Sequence, residues 1–429
     1  MSAFYIEILD SLQVVDIYAK YSQQCSPASQ TDTVRLQSDT VVFIDKHTSV
    51  DLPVSVNAGL STKTQLEQIR SADDGSEWVR LRAPISSASK KARLENTPQL
   101  ITGIKRTVTV SSLLGLSDIC CRACKTQLVS EAFTGRADPL SIRDLPSAYW
   151  IELVDCWVCH PEEDDLTVNK ELLFDFESDK TATAPQSLYS SSSSAAAALN
   201  AVSSTSVDVW VGDSFALISA GLIKDLPTRL VHIEDKKRFD NAYTELRCTE
   251  CDHIIGESGR MGTRRMQKLY MHYVDFQVSN IQIEHVSVSF SQVFCSELLG
   301  HISAHAVYKF VVEERQSCRP VALIHVVGWN AELHASRLIS ESASKAKNLT
   351  SLSSDKKPFS KYVKVLFAIT GDSTFDSMAK EWLSTDSTEL VSLLEEDCKA
   401  LARELDLHSS LLPPQLRMIG NMKRSFLRM

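Results

Sequence analysis

The sequence predicts an α+β protein, strand-rich and multi-domain, with a structural zinc site joining two segments and a more helical C-terminal region. Three observations lead there. Short runs of Val, Ile and aromatic residues, bounded by Ser, Asp, Pro or Gly, crowd the first hundred residues. Apolar residues recur at helical steps of three and four in the later part of the chain. Two Cys-x-x-Cys pairs, Cys121/Cys124 and Cys248/Cys251, flank a long intervening stretch. The layout read from these features is a strand-rich domain over 1–118, a zinc-knuckle region over 119–280 and an α/β region over 281–429.

Taken in order, Phe4–Leu9, Thr40–Ile44, Leu52–Val56 and Trp78–Arg82 read as strands, and Leu100–Val110 continues the pattern. In Ser147–Trp157, Trp150, Leu153, Val154 and Trp157 share one helical face. Residues 181–206 are Ser-rich and low in apolar content, which predicts a disordered loop. Val207–Ile218 and Leu269–Val278 read as strands, Phe290–His305 as a helix, and Ala306–Glu313 and Val321–Trp329 as consecutive strands. A polar loop over about 339–360 precedes a strand at Tyr362–Ile369. A last helix is expected over Thr388–Leu405 from Val391, Leu394, Cys398, Leu401 and Leu405.

Composition narrows the function classes. The chain carries 45 Lys+Arg against 54 Asp+Glu, a net charge of −9, and no basic tract. Direct RNA or DNA binding relies on cations that neutralise phosphates, so it is not expected. The opening MSAFYIEILDSLQ has no basic segment leading into a long apolar run, and no stretch approaches the roughly 18 apolar residues of a membrane span. We therefore expect no membrane association, and a cytoplasmic and nuclear location in which the eleven cysteines are thiols and metal ligands rather than a disulfide framework.

Zinc takes four thiolate or imidazole ligands in a tetrahedron, and a Cys-x-x-Cys turn supplies one edge of it. Cys121, Cys124, Cys248 and Cys251 are the expected ligands, with Cys120 an alternative to Cys121. A structural zinc contributes about 10–16 kcal/mol, enough to outweigh closing so long a loop and to tie the two halves of the chain together. Cys156-Trp157-Val158-Cys159-His160 has the spacing of a c-type haem attachment, a chemistry that the absence of an export signal argues against.

One family accounts for that segment. The order Cys-x-x-Cys, Leu145-Pro146, Trp150-Ile151-Glu152-Leu153-Val154-Asp155, Trp157, Cys159-His160-Pro161, Val211-Gly212-Asp213-Ser214-Phe215, Arg247-Cys248, Cys251 and Ile255-Gly256-Glu257 resembles ubiquitin-conjugating-enzyme-binding proteins with a HECT-like domain. Leu412-Pro413-Pro414-Gln415-Leu416-Arg417 and Phe426-Leu427-Arg428-Met429 are similar to that family's ending, and the resemblance makes residues 281–429 the HECT-like region. It implies a ubiquitin ligase that binds a ubiquitin-conjugating enzyme. It also implies binding and protection of the metallo-β-lactamase-type endonuclease of pre-mRNA 3′-end processing. In that role Asp155, Trp157, Cys159, His160 and Pro161 would contact the partner, with Cys159 reaching its catalytic zinc. The alternative from the residues alone is that Cys159 and His160 pack beneath their helix.

A HECT-like transfer needs an accessible thiol. Cys398 and Cys295 sit among apolar neighbours, and Cys25 lies in a Ser- and Gln-rich stretch without an activating residue. Cys318, in Glu314-Arg315-Gln316-Ser317-Cys318-Arg319-Pro320, reads as a hairpin turn beside two arginines and is the catalytic candidate. Two classes thus remain: a ubiquitin-transfer enzyme, or a non-enzymatic binding protein that masks a nuclease.

Overall fold

The computed structural model describes residues 4–9, 12–20, 34–37, 40–43, 48–56, 66–70, 77–96, 108–130, 140–145, 209–219, 228–233, 243–261, 264–279, 283–335 and 360–429. The chain divides into two compact units, one of Met1–Gly103 with His301–Met429 and one of Ile104–Gly300.

The first part contributes β1 (Phe4–Leu9), β2 (Val14–Lys20), β3 (Val34–Gln37), β4 (Thr40–Phe43), β5 (Thr48–Asp51), β6 (Leu66–Arg70), β7 (Glu77–Pro84) and helix α1 (Ser87–Asn96). The middle contributes β8 (Leu116–Cys121), β9 (Gln127–Ser130), β10 (Ile142–Asp144), β11 (Val209–Val211), β12 (Phe215–Ser219) and β13 (Thr228–Ile233). It continues with β14 (Tyr243–Cys248), β15 (Ile254–Met261), β16 (Arg264–Tyr270), β17 (Val274–Ser279), β18 (Ile283–Ser287) and α2 (Phe290–His305). The last part contributes β19 (Lys309–Glu314), β20 (Arg319–Ala335), β21 (Ser360–Ile369), α3 (Phe375–Leu383), β22 (Thr388–Leu393), α4 (Glu395–Leu411), β23 (Met418–Ile419) and β24 (Met422–Arg428).

In the first unit a ten-stranded sheet runs β23-β24-β21-β20-β1-β2-β7-β6, with β19 paired to both β20 and β22. Its spine is the 17-residue β20. The first part of β20 pairs β19, its end pairs β1, and β21 runs along its other edge. A three-stranded sheet, β3-β4-β5, completes the unit's strands among the described residues. Period-two alternation sorts β1 onto two cores. Phe4, Ile6 and Ile8 join Val15, Ile17, Leu81 and Ile85, while Tyr5 joins Tyr18, Trp78, Tyr362 and Phe426.

Glu7 falls on the Tyr5 side and is 3% exposed. A buried carboxylate must be paired. Tyr5 Oη donates to Glu7 Oε2 at 2.9 Å, Arg424 Nη2 donates to the same oxygen at 2.9 Å, and Lys364 Nζ pairs with Oε1. The first strand is thereby charge-locked to β21 and β24.

The second unit holds a seven-stranded sheet, β10-β11-β12-β16-β15-β14-β13, and a four-stranded sheet, β18-β17-β8-β9. Both contribute to one core, with Ile119, Leu128, Val274 and Phe276 from the small sheet and Val211, Ile218, Leu246 and Leu269 from the large one. The chain passes from one sheet to the other at 271–273, where Tyr273 N donates to Tyr270 O at 2.9 Å.

Several expectations are corrected. The first and last parts of the chain share one sheet through the β1–β20 pairing, whereas the sequence reading separated 1–118 from 281–429. Leu52–Val56 is not a strand: Pro53 has no N–H for a ladder, and Val56 alone bridges to Ile85. Of the strand expected over Leu100–Val110, residues 100–107 lie outside the described residues, and Val110 opens a 3-10 turn capped by Thr109 and Ser112. Val207–Ile218 is split by Gly212-Asp213-Ser214 into β11 and β12. Leu269–Val278 is split into β16 and β17, which belong to different sheets. Thr388–Leu405 is a strand and then a helix. Val391 and Leu393 are buried at strand period against parallel β19, and α4 starts only after extended Leu394, where Glu395, Glu396 and Asp397 suit a helix N-terminus. The helix expected at Ser147–Trp157, the Ser-rich stretch 181–206 and nearly all of the loop at 339–360 lie outside the described residues.

Replacing Glu7 with Ala leaves Arg424 and Lys364 without their carboxylate and should lower stability by about 3 kcal/mol. Urea denaturation measures it. Glu7→Leu combined with Arg424→Met should recover at least half of that loss; if Glu7→Ala costs nothing, the lock is not a stabilising feature.

Candidate metal centre

The four expected cysteines come together within the second unit. Sulfur atoms of Cys121, Cys124, Cys248 and Cys251 all lie within 4.8 Å of one another. Across the pairs, Cys121 Sγ is 3.7 Å from Cys251 Sγ and Cys124 Sγ is 3.6 Å from Cys248 Sγ. A tetrahedral ion with metal–sulfur bonds of about 2.3 Å separates its sulfurs by ~3.8 Å. The set therefore has the spacing and the donor chemistry for one metal ion. All four are free thiols in the structure.

Two matching knuckles build it. β8 and β9 form one hairpin and β14 and β15 the other, and each has an irregularity in register directly before its first cysteine, at Ile119/Cys120 and at Leu246/Arg247. After the bulge the same turn follows in each. Cys121 N donates to Thr126 O at 2.8 Å and Lys125 N to Cys121 O at 2.8 Å. Cys248 N donates to His253 O at 3.0 Å and Asp252 N to Cys248 O at 2.9 Å. The residue after the second cysteine is left-handed in both, Lys125 at φ 64° and Asp252 at φ 59°. Amides of Ala123 and Cys124 hydrogen-bond to the Cys121 sulfur, and those of Glu250 and Cys251 to the Cys248 sulfur. Each knuckle offers one buried and one exposed cysteine.

The arrangement selects Cys121 rather than Cys120. Adjacent strand residues face opposite ways. The Cys120 sulfur instead accepts from Gln277 Nε2 at 3.4 Å.

Without a cation the thiols are unequal. Burial pushes Cys121 up to about 12 and raises Cys248 as well. Burial also acts upward on Cys124, but hydrogen bonds with Thr126, Cys251 and Cys248 outweigh it and bring this thiol down to about 6. A metal ion reverses the burial term, because its charge makes the thiolate the favoured form.

The sequence reading missed the residues that aim the knuckles. Arg122 lies inside the first Cys-x-x-Cys and ties it to the strands beside it. Its Nε donates to Asp275 Oδ1 at 3.0 Å, Nη1 to Val288 O at 2.6 Å, and Nη2 to Val274 O at 3.1 Å and Ser287 Oγ at 2.8 Å. Lys125 Nζ adds a second bond to Asp275, at 2.6 Å. In the second knuckle Arg247 is held by Glu245 at 2.7 Å and reaches Asp252 O at 3.1 Å. Tyr273 joins the two: its carbonyl accepts from Arg122 N at 3.0 Å, while its ring packs edge-on against His253 at 4.8 Å. Arginine inside a Cys-x-x-Cys is visible in the sequence; its partner Asp275, far along the chain, is not.

Cys318 occupies the β19–β20 turn of the first unit, as a hairpin reading requires. It is partly buried, left-handed at φ 50°, with its sulfur 3.7 Å from Arg315 O. Among the described cysteines outside the cluster it alone is not buried. Asp155, Trp157, Cys159, His160 and Pro161 lie outside the described residues. Both cysteine pairs fall in the Ile104–Gly300 unit. The cluster thus brings together two sheets of one unit, from segments on either side of the Ser-rich stretch.

The family profile described as HECT-like ubiquitin-conjugating enzyme (E2)-binding matches residues 7–424, nearly the whole chain. The protein belongs to that family of E2-binding proteins in the ubiquitin pathway. Comparison with curated proteins and with solved structures gives no significant match. No helix among the described residues is long and apolar enough to cross a membrane.

Arg122→Ala should leave the buried Asp275 carboxylate with Lys125 and Ser287 and the Val274 and Val288 carbonyls without this donor, at a cost of about 3 kcal/mol. Hydrogen exchange should then quicken at Cys121–Gln127 and along β17. Protection unchanged from the parent protein would remove Arg122 from this role.

Proposed function

We propose that this protein docks a ubiquitin-conjugating enzyme to promote ubiquitin transfer, and that Cys121, Cys124, Cys248 and Cys251 hold one structural zinc ion in it. The match over residues 7–424 carries the docking reading. The zinc reading rests on the two knuckles. Four thiolates fill the tetrahedron and leave no position for substrate, so the ion's task is to fix the two sheets.

If transfer is covalent, Cys318 is the acceptor. Its thiolate attacks the thioester carbonyl of the loaded conjugating enzyme, that enzyme's cysteine leaves as a thiolate, and a substrate amine later displaces Cys318. Its incomplete burial in the β19–β20 turn supports this choice, while the other described cysteines outside the cluster are buried. With no covalent step, the protein acts by presenting the loaded enzyme.

A second reading is carried by the string from Asp155 to Pro161. We infer that Trp157, Cys159 and His160 bind and mask the zinc-dependent endonuclease of pre-mRNA 3′-end processing, with the Cys159 thiolate taking the open position on that enzyme's metal. Asp155 and the acidic run Glu162–Asp165 suit a basic, RNA-binding cleft. A residue before proline is biased toward extended backbone, and the His160-Pro161 order would by that rule limit the entropy lost on docking. Such a role places the protein in both cytoplasm and nucleus.

Incubation with a panel of ubiquitin-loaded conjugating enzymes tests the first reading. At least one should bind and discharge faster, and a reducible ubiquitin adduct should be lost in Cys318→Ala if the relay is used. An adduct that persists in Cys318→Ala moves the acceptor elsewhere. Absence of both binding and discharge across the panel contradicts the docking reading. Retention of the endonuclease by wild-type protein but not by a folded Cys159→Ser variant tests the second; equal retention by both contradicts it.

A further inference from the structure

The first unit gathers a second donor set that the metal centre does not involve. His301 and His305 lie four residues apart on the last turn of α2, so their rings share one helix face. Glu389 faces them from β22. On that strand Val391 and Leu393 are buried and Leu390 and Ser392 exposed, so alternation turns Glu389 inward with the apolar residues. A carboxylate so placed is turned toward the two imidazoles. All three donor groups approach within 4.8 Å of one another.

The separations distinguish between partners. His301 Nδ1 is 3.6 Å from Glu389 Oε1, and His305 Nδ1 is 3.6 Å from Glu389 Oε2. Direct N–H···O bonds measure about 2.7–3.2 Å, so neither contact is one. Nitrogen and oxygen bound to one tetrahedral zinc, at about 2.0–2.2 Å each, lie ~3.4 Å apart. Each imidazole addresses a different carboxylate oxygen at nearly this spacing. The Phe310 ring packs edge-on to His301 at 5.9 Å and Phe310 is the register partner of Glu389, so one apolar residue backs both donors. Side-chain exposures of 14% for His301, 27% for His305 and 29% for Glu389 leave the cluster open to an ion from solvent.

We propose that His301, His305 and Glu389 bind a divalent transition-metal ion, zinc by the chemistry of the donors. Two imidazoles and one carboxylate are borderline ligands suited to zinc and poorly suited to magnesium or calcium. Three protein donors leave the fourth position to water or to a donor from a bound partner. This site is independent of the four-cysteine centre and of the ubiquitin reading: it lies in the other unit and shares no residue with the cysteines.

Equilibrium dialysis of the full chain against zinc, with metal analysis, tests it. Wild-type protein should hold about two equivalents, the second released first by a mild chelator because it has fewer ligands and no thiolate. Glu389→Gln and His305→Gln should each hold about one. Glu389→Gln preserves size and removes only the charge; His305→Gln guards against a folding defect in it, and thermal melts of both in chelator should match wild type. Cobalt gives an independent reading. Its second equivalent should add the weak visible bands of nitrogen and oxygen ligation without further thiolate charge transfer. A wild-type content that neither variant lowers, or a second cobalt with thiolate bands, would overturn the assignment.

Discussion

The second unit brings four cysteine sulfurs within 4.8 Å of one another, the constraint around which its two sheets are arranged. Neither knuckle can do this alone, because a Cys-x-x-Cys turn supplies two ligands only. The small sheet brings Cys121 and Cys124, and the large sheet brings Cys248 and Cys251. The knuckles are built alike, with a bulge before the first cysteine, amides turned onto its sulfur and a left-handed residue after the second. The shared core below contains Cys121 and Cys248 themselves, so the ligands are part of the hydrophobic packing. Without a cation these buried thiols stay neutral and pack as small apolar groups, and a metal ion would make the thiolate the favoured form. The ion proposed for this cluster would therefore couple metal binding to the packing of the two sheets.

The first unit solves a different problem, that of joining the two ends of the chain. β20 is long enough to pair β19 with one part and β1 with another, while β21 lines its opposite edge. The match of the family over residues 7–424 is consistent with this construction, since it begins in β1 and ends in β24, strands of the same sheet. Glu7 fixes the register of that sheet by pairing with Arg424 and Lys364. A slip of one residue would turn Glu7 toward the Phe4/Ile6/Ile8 core, away from both cations.

Local features were legible in the sequence and long-range ones were not. Phe4–Leu9 and Phe290–His305 form with the bounds the pattern gave, because each is one uninterrupted periodic run. The clustering of the four cysteines was legible because paired Cys-x-x-Cys turns are a local pattern. Errors arose where two elements met. Val391 fits both the strand period of β22 and the helical period of α4, and only parallel pairing with β19 decides for the strand. The Tyr270–Tyr273 turn was hidden because apolar and aromatic residues continue through it, although the chain changes sheets there. The separation of 1–118 from 281–429 assumed that strands pair with near neighbours, and the β1–β20 pairing breaks that habit. Arg122 and Asp275 lie too far apart in sequence for any local pattern to connect them.

Family membership gives the protein a role in binding a ubiquitin-conjugating enzyme, and the four-cysteine cluster is the site at which we propose a structural zinc. The claim on which this rests is the ligand set. X-ray absorption at the zinc edge, on protein carrying one equivalent of metal, measures it directly. Four sulfur neighbours at about 2.3 Å, and none of nitrogen or oxygen, is the result expected of this centre. Two or more nitrogen or oxygen neighbours in that shell would contradict it, as would protein that takes up no zinc while all four cysteines are reduced.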